Sequence, residues 1–358
     1  MLKRVRRVNF SNSVEREAKN AILASLGDVP FVKIEIVSSP VLSPGCQPDF
    51  HIAAQIEKVT CNLIVEVGTN GEPRFARQAV NHIFRCRSEF PGNYPIFIAP
   101  YISPRSAAIC LEADIGYIDF AGNCHLSFQN IYVHKEGKSN PYTNKRYLKS
   151  LYSPKAERIL RVLLMSGPRE WKVEELAKEA SVSLGQVSNV KKLLADREWI
   201  NSQPVGFALS EPYELLEEWS QNYNYQRNKI SEFYTTRSSG DIEISLERFC
   251  REEKWLFGLT SISGSAYFPP AARYQRMVAY VEGEVNEIIT KFDLEPISSG
   301  ANVILLEPYD EGVFYGAQSR SGAEVVSPIQ IYLDLKNFGE LGQKAADSFF
   351  DFVIRNLW

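Results

Sequence analysis

The sequence predicts a multi-domain α/β protein of α+β layout, on three observations. Its 358 residues, at roughly 150 per domain, imply two or three domains. Segments of helical period alternate with short strand-like runs, the signature of helices layered on sheets. With 44% apolar and 23% charged residues, the chain has ordinary globular composition, which excludes a disordered chain or a coiled-coil rod. The expected divisions are 1–150, 151–210 and 211–358.

In the first segment, Val14, Ala18, Ile22 and Leu26 form one stripe of a helix over Glu15–Leu26, closed by Gly27-Asp28. Strands are expected at Phe31–Val37, Phe50–Gln55 and Asn62–Val67, separated by turns such as Ser39-Pro40 and Pro44-Gly45. Pro73 opens a helix through Cys86, since a first helical turn tolerates proline. Tyr94–Ala99 is a continuous apolar run, as in a strand covered on both faces. A helix over Pro104–Ala113 and strands at Gly116–Asp119 and His125–Phe128 complete a mixed sheet with flanking helices. The polar stretch Asn140–Ser153 reads as a connector.

The second segment orders helix Pro154–Met165, an extended Trp171-Lys172-Val173, helix Glu174–Ala180, a Ser181-Val182-Ser183 turn, helix Leu184–Ala195 and a hairpin over Asn201–Leu209. That is the order of a winged helix-turn-helix. Leu176, Ala177, Ala180, Val187, Val190, Leu193 and Leu194 are its expected core. Ser183, Gln186, Ser188, Asn189, Lys191 and Lys192 remain on polar faces of the third helix, with the hairpin tip Ser202–Gly206 beside a DNA backbone. Short hydrogen-bonding side chains followed by lysines can read base edges and grip phosphates. The alternative use of such a module is protein docking or spacing.

The third segment is expected to begin at Glu211 with helices through Tyr223–Asn228 and Leu246–Trp255, and to carry strands at Met277–Val281, Asn302–Leu306 and Ile329–Leu333 and a closing helix over Gly342–Leu357. Trp219, Tyr223 and Tyr225 read as core aromatics.

Pro48-Asp49, Glu66 at the end of the next strand, and the helix after Gly71-Glu72-Pro73 resemble the PD-(D/E)XK restriction-endonuclease-like superfamily. Its chemistry needs an Asp and a Glu holding a divalent metal and a Lys two residues after the Glu. Here Gly68 occupies that place, and Lys58 lies in the preceding strand or loop. The resemblance therefore implies a degenerate site at Asp49, Glu66 and Gln78 that lacks a full catalytic set. Glu15, Glu17 and Asn81 are accessory polar candidates. Mg²⁺ enters only on the rival reading of an active restriction or defence nuclease, and otherwise no cofactor or metal is expected.

The domain order, with the runs Gly116–Asn123, Gly264-Ser265-Ala266-Tyr267 and Tyr332-Leu333-Asp334-Leu335, resembles AbiEi-type antitoxins and transcriptional regulators of type IV toxin–antitoxin systems. The resemblance implies binding to double-stranded DNA at the promoter of its own operon, and a cognate toxin of nucleotidyltransferase type. A homodimer on a repeated operator is compatible with it.

Other motifs carry less. Gly264-Ser265 before Met277–Val281 suggests a nucleotidyltransferase, but that chemistry needs two carboxylates one residue apart on the strand, and Glu282 and Glu284 fall at its end. Cys124-His125 and His134 lack a second ligand pair at zinc spacing. His51 and His82 have no nucleophile to serve. The six cysteines (46, 61, 86, 110, 124, 250) form no Cys-x-x-Cys pair and read as thiols in a reducing compartment. Lys3, Arg4, Arg6 and Arg7 are followed by no apolar core of a signal peptide, and no run is long enough to span a membrane. The expected location is cytoplasmic.

The net charge of −3 conceals an asymmetry. Residues 1–150 hold 18 Lys+Arg against 13 Asp+Glu (+5), residues 151–210 hold 9 against 7 (+2), and residues 211–358 hold 13 against 23 (−10). The asymmetry suits DNA on the first two, and a different partner or none on the third.

Overall fold

Two seven-stranded mixed sheets organise the chain in the computed structural model, which describes residues 14, 16–27, 29, 31–37, 48–86, 91–141, 151–269 and 274–358. The expectations at Lys3, Arg4, Arg6, Arg7, Glu15, Cys46, both early turns and most of the connector lie outside those residues. The chain divides into two compact units, Met1–Asn144 with Ala195–Glu198, and Lys145–Leu194 with Trp199–Trp358.

In the first unit the strands β1 (Val32–Val37), β2 (Phe50–Ile56), β3 (Val59–Val67), β4 (Tyr94–Ala99), β5 (Gly116–Asp119), β6 (Cys124–Phe128) and β7 (Ile131–Lys135) lie across the sheet in chain order. The strands β1 to β3 pair antiparallel, β3, β4 and β5 pair parallel, and β5 to β7 return to antiparallel. The parallel steps need long crossovers, supplied by α2 (Pro73–Cys86) and α3 (Pro104–Glu112). Ser103 caps α3, its Oγ accepting from Ser106 N at 3.2 Å, with Pro104 in the first turn.

Helix α1, residues 16–26, buries the expected Ala18, Ile22 and Leu26 against Ile52, Leu63, Ile96 and Ile98. The opposite face of the sheet carries Ile64, Phe97 and Tyr117 beneath Ala76, Ile83 and Ile109 of α2 and α3. Covered on both sides, β4 can be apolar throughout. Strand β7 was not foreseen. The Gly116–Asn123 run builds the turn between β5 and β6: buried Asp119 accepts from Asn123 N and Nδ2, both at 2.8 Å, and from Ile102 N at 3.2 Å.

The second unit opens with α4 (Pro154–Met165), α5 (Val173–Glu179) and α6 (Leu184–Asp196), then a small hairpin of β8 (Ile200–Ser202) and β9 (Phe207–Leu209). Next come α7 (Pro212–Asn222), β10 (Lys229–Tyr234), α8 (Ser239–Glu253), β11 (Leu256–Leu259), α9 (Ser261–Ser265), β12 (Met277–Glu282), α10 (Val285–Phe292), β13 (Glu295–Pro296) and β14 (Val303–Glu307). After them follow β15 (Gln318–Arg320), β16 (Ala323–Val325), α11 (Pro328–Lys336) and α12 (Gly339–Phe352). The second sheet runs β13-β10-β14-β12-β11-β16-β15, with parallel pairs β14–β12 and β11–β16.

Three sequence expectations change here. Ile329–Leu333 lies inside α11 rather than in a strand: Ser327 Oγ accepts from Gln330 N at 3.3 Å, and Pro328 sits in the first turn. Every residue from Pro328 to Leu335 is buried, so the helix is apolar all round and shows no period to read. Tyr223–Asn228 contains only a 3₁₀ turn at Tyr225–Arg227, following α7; and α8 starts well before Leu246, at a cap where Ser238 Oγ accepts from Asp241 N. The cysteine expectation also needs amendment: Cys61, Cys110, Cys124 and Cys250 are buried free thiols, whereas Cys86 is disulfide-bonded. Spacing along the chain carries no information on pairs that tertiary structure brings together. Among the described residues, no helix is long and apolar enough to cross a membrane.

A buried polar network locks α4 into this unit. All residues from Ala156 to Leu164 are buried, including Glu157, Arg158 and Arg161. The Arg161 guanidinium donates to Gln330 Oε1 from Nη2 at 2.7 Å and from Nε at 3.1 Å, and lies over the Trp219 ring. Glu157 receives Arg227 Nη1 at 2.8 Å and the Tyr309 hydroxyl. Gln330 Nε2 passes the chain to Asp334 Oδ1 at 3.0 Å, which also accepts from the hydroxyls of Tyr223 and Tyr280, while Thr260 Oγ1 donates to Oδ2. Burial pushes Asp334 up to about 6, although these donors pull the other way.

Arg161→Ala leaves the Gln330 carbonyl without its cation and a void beside Trp219. A loss of about 3–5 kcal/mol is expected in urea unfolding. Because Asp334 binds its proton more tightly folded than unfolded, its contribution is fully present below the ordinary carboxylate range near 4 and is lost as pH rises through about 6. Asp334→Asn is expected to flatten stability against pH across that window, measured by thermal melts from about pH 4 to 7.

Candidate functional site

Two places hold the residues that the sequence singles out. The first is the edge of the β2–β3 pair in the first unit. Asp49 precedes β2, its amide donating to Val65 O and its Oδ2 accepting from Val67 N at 2.6 Å. Glu66, one residue back on β3, meets His82 Nδ1 through its Oε2 at 2.9 Å. Burial, and then the Asp49 charge, raise the Glu66 carboxyl above its usual range, with His82 opposing them. Gln78 stands exposed on α2, so it is His82, one turn further along, that reaches Glu66. Sequence inspection missed this pairing because it requires knowing which face of α2 rests on β3.

Where the nuclease pattern needs a lysine, Gly68 has no space for one. A Cβ there would stand 2.9 Å from the Phe97 ring and 3.0 Å from Asn70 O. Across the sheet, His125 and His134 face each other on β6 and β7 with ring centroids 5.3 Å apart, edge to face, beside Tyr117 and Tyr132. Among the described residues, no group of three or more His, Cys, Asp or Glu could hold a metal ion. Asp49 and Glu66 are thus two carboxylates with separate partners, Val67 N for the one and His82 for the other.

The second place is α4 to β9. Leu176, Ala177, Ala180, Val187, Val190, Leu193 and Leu194 are buried as expected, with Val182 half-buried. The turn between α5 and α6 puts Ser181 at φ +52°, a left-handed conformation that reverses the chain within three residues. Ser183 caps α6, its Oγ accepting from Gln186 N at 3.2 Å. Ser183, Ser188, Asn189 and Lys192 are exposed, and Gln186 and Lys191 are half-buried. Lys191 lies over the Phe207 ring, Nζ 4.9 Å from its centroid, so it braces the hairpin rather than standing clear of it.

The hairpin gains a third strand segment from Trp171, whose N and O bond Phe207 O and N at 2.8 and 3.0 Å. Gly206 is required there, because a Cβ would stand 2.7 Å from Trp171 O. Arg169 stacks on the Trp171 ring at 4.0 Å, and Val205 at the hairpin tip is 68% exposed.

Lys155, Lys178, Ser181, Ser183 and Gln186 line one hollow at the start of α6. Two ammonium groups, two hydroxyls and the positive end of a helix favour an anion there. Lys155 also lies 3.8 Å from Asp310 Oδ2, which tempers its charge. Lys155, Lys178 and Arg169 were not anticipated, since they come from three different elements.

Glu282 is the last residue of β12. Glu284 lies beyond it, as the residue capping α10.

Gly68→Lys tests the first place directly. Its side chain is expected to displace the Phe97 ring and lower stability by about 1–3 kcal/mol without conferring Mg²⁺- or Mn²⁺-dependent nicking of plasmid DNA. Cleavage by that variant, or by the parent chain and lost in Asp49→Ala and Glu66→Ala, would establish the nuclease chemistry instead.

Residues 208–348 match the model of a family described as transcriptional regulator, AbiEi antitoxin, type IV toxin–antitoxin system. No curated protein and no solved structure matches the chain. The Gly264–Tyr267 and Tyr332–Leu335 runs fall within the matched residues, where Gly264 packs on Leu259 O and Asp334 centres the buried network; the Gly116–Asn123 run falls outside them. Over its C-terminal part, residues 208–348, the chain is similar to the AbiEi antitoxins, transcriptional regulators of type IV toxin–antitoxin systems.

Proposed function

We propose that the chain acts as an autorepressing antitoxin that binds double-stranded DNA at its own promoter through residues 151–210, used as a winged helix-turn-helix. The observation that carries this reading is the exposed side of α6. There Ser188, Asn189 and Lys192 face solvent, beside a cap flanked by Lys155 and Lys178 and followed by a hairpin with an exposed tip. A helix of that kind enters a major groove with amides and hydroxyls toward base edges, while lysines and the hairpin grip phosphates on either side.

On this reading the roles divide. Gln186 and Asn189 address bases, Lys155, Lys178 and Lys192 address phosphates, and Ser183 shapes the helix start. Arg169 and the Ser202–Gly206 tip reach the backbone beside the hairpin. The family match supports transcriptional regulation, and the −10 charge of residues 211–358 keeps that part away from DNA.

The first unit serves as a restriction-endonuclease-like scaffold that has lost its catalytic lysine. A nucleotidyltransferase-type toxin from the same operon is the cognate partner, and promoter binding places the protein in the cytoplasm.

Binding of the promoter fragment, followed by fluorescence anisotropy at several salt concentrations, tests the assignment. Lys192→Ala is expected to weaken binding and reduce the logarithmic salt slope by about one, the effect of one lost phosphate contact. Asn189→Ala is expected to lower discrimination between promoter and unrelated DNA by about 1–3 kcal/mol and leave the slope unchanged. Parent-like affinity and slope in both variants would remove α6 from the interface.

A further inference from the structure

Helix α12 buries Gly342, Ala346 and Phe349 on one face. One step round the helix from that face lie Leu341, Ala345, Ser348 and Phe352, at successive spacings of four, three and four. Those are the spacings of a helix-pairing seam. Leu341 is 76% exposed and Phe352 58% exposed, with Ser348 exposed and Ala345 half-buried between them. Both large side chains keep apolar area in water that docking would remove. A scattered exposed leucine is ordinary; four aligned positions with this order of sizes form a pattern.

The order is self-complementary. Turned end for end about its midpoint, the stripe sets Leu341 against Phe352 and Ala345 against Ser348. The small central pair lets the backbones approach, and the large end residues close over it. The same operation brings Lys344 opposite Asp351, both exposed on the flank of the stripe away from the buried face. A two-fold axis repeats that attraction, so one pairing yields two. Asp351 already lies 3.3 Å from Arg355, and a second cation on its other side completes a three-membered cluster.

We propose that a second copy of this chain docks along Leu341–Phe352, forming an antiparallel two-fold pair of α12 helices. The inference is independent of the DNA reading. A foreign helix would need matching apolar spacing only, whereas the mirrored sizes and the reciprocal Lys344–Asp351 placement are what a copy of the same helix demands. The stripe is short against the roughly 1,200 Å² of a stable interface, so the association is weak, in the micromolar range.

Sedimentation equilibrium of the full chain between about 1 and 200 µM tests this. The average mass is expected to rise from 40.6 kDa toward twice that value with concentration. Leu341→Glu and Phe352→Glu are each expected to weaken dimerisation at least tenfold, with thermal melting unchanged because both side chains are exposed. Lys344→Glu is expected to weaken it several-fold, and adding Asp351→Lys to restore it. A chain monomeric throughout would overturn the proposal and leave the stripe to a different protein. So would a dimer indifferent to both apolar substitutions, or a charge-reversed double variant no tighter than Lys344→Glu alone.

Discussion

The second unit depends on satisfying one buried guanidinium. Arg161 sits on a helix whose residues from Ala156 to Leu164 are all removed from water, and an unpaired cation there would cost several kcal/mol. Gln330, Tyr309, Glu157 and the Trp219 face are arranged around it, with Gln330 held in turn by Asp334, Tyr223 and Tyr280, and Glu157 by Arg227. Arg158 extends the arrangement at the other edge through a two-pronged contact with Asp310, both bonds under 3.0 Å. Helix α4 is therefore not a removable part. Within this unit, α5, α6 and the hairpin take their position from a helix that the family-matched residues enclose.

That arrangement explains why some of the molecule was readable and some was not. Periodicity reveals elements with one dry face: Val14, Ala18, Ile22 and Leu26 on α1, and the α5–α6 core, stand out because polar residues separate them. It fails for α11, where Ile329, Ile331, Leu333 and Leu335 alternate like a strand while Gln330 and Asp334 are buried as network members. There the competing signal was Ser327-Pro328, a helix start. Alternation outweighed it in the sequence reading because a buried polar side chain looks the same in sequence as an exposed one.

Site residues divide in the same manner. Asp49 and Glu66 were legible as neighbours, since β2 and β3 form a hairpin. Glu66 with His82, Arg161 with Gln330, and Lys155 with Lys178 were not, because each pair depends on how separate elements pack. Gly68 was legible as standing where the nuclease resemblance puts a lysine, and the structure adds that a Cβ there would meet the Phe97 ring.

Charge sets the remaining constraint. Residues 151–210 carry an excess of only +2, and one of their lysines, Lys191, is committed to the Phe207 ring. On the proposed DNA-binding reading, a module so lightly charged makes few phosphate contacts, each contributing about one unit to the salt slope. Affinity for an operator then has to come from groups concentrated at one helix start, where Lys155, Lys178 and the α6 amides act over a few ångströms, or from repeating the module. The pairing of two copies proposed for α12 would supply the repetition without adding charge to either. It also ties occupancy to concentration: at low levels each copy binds singly and loosely. Where both half-sites are present, holding the first copy raises the local concentration of the second, and a micromolar contact becomes sufficient.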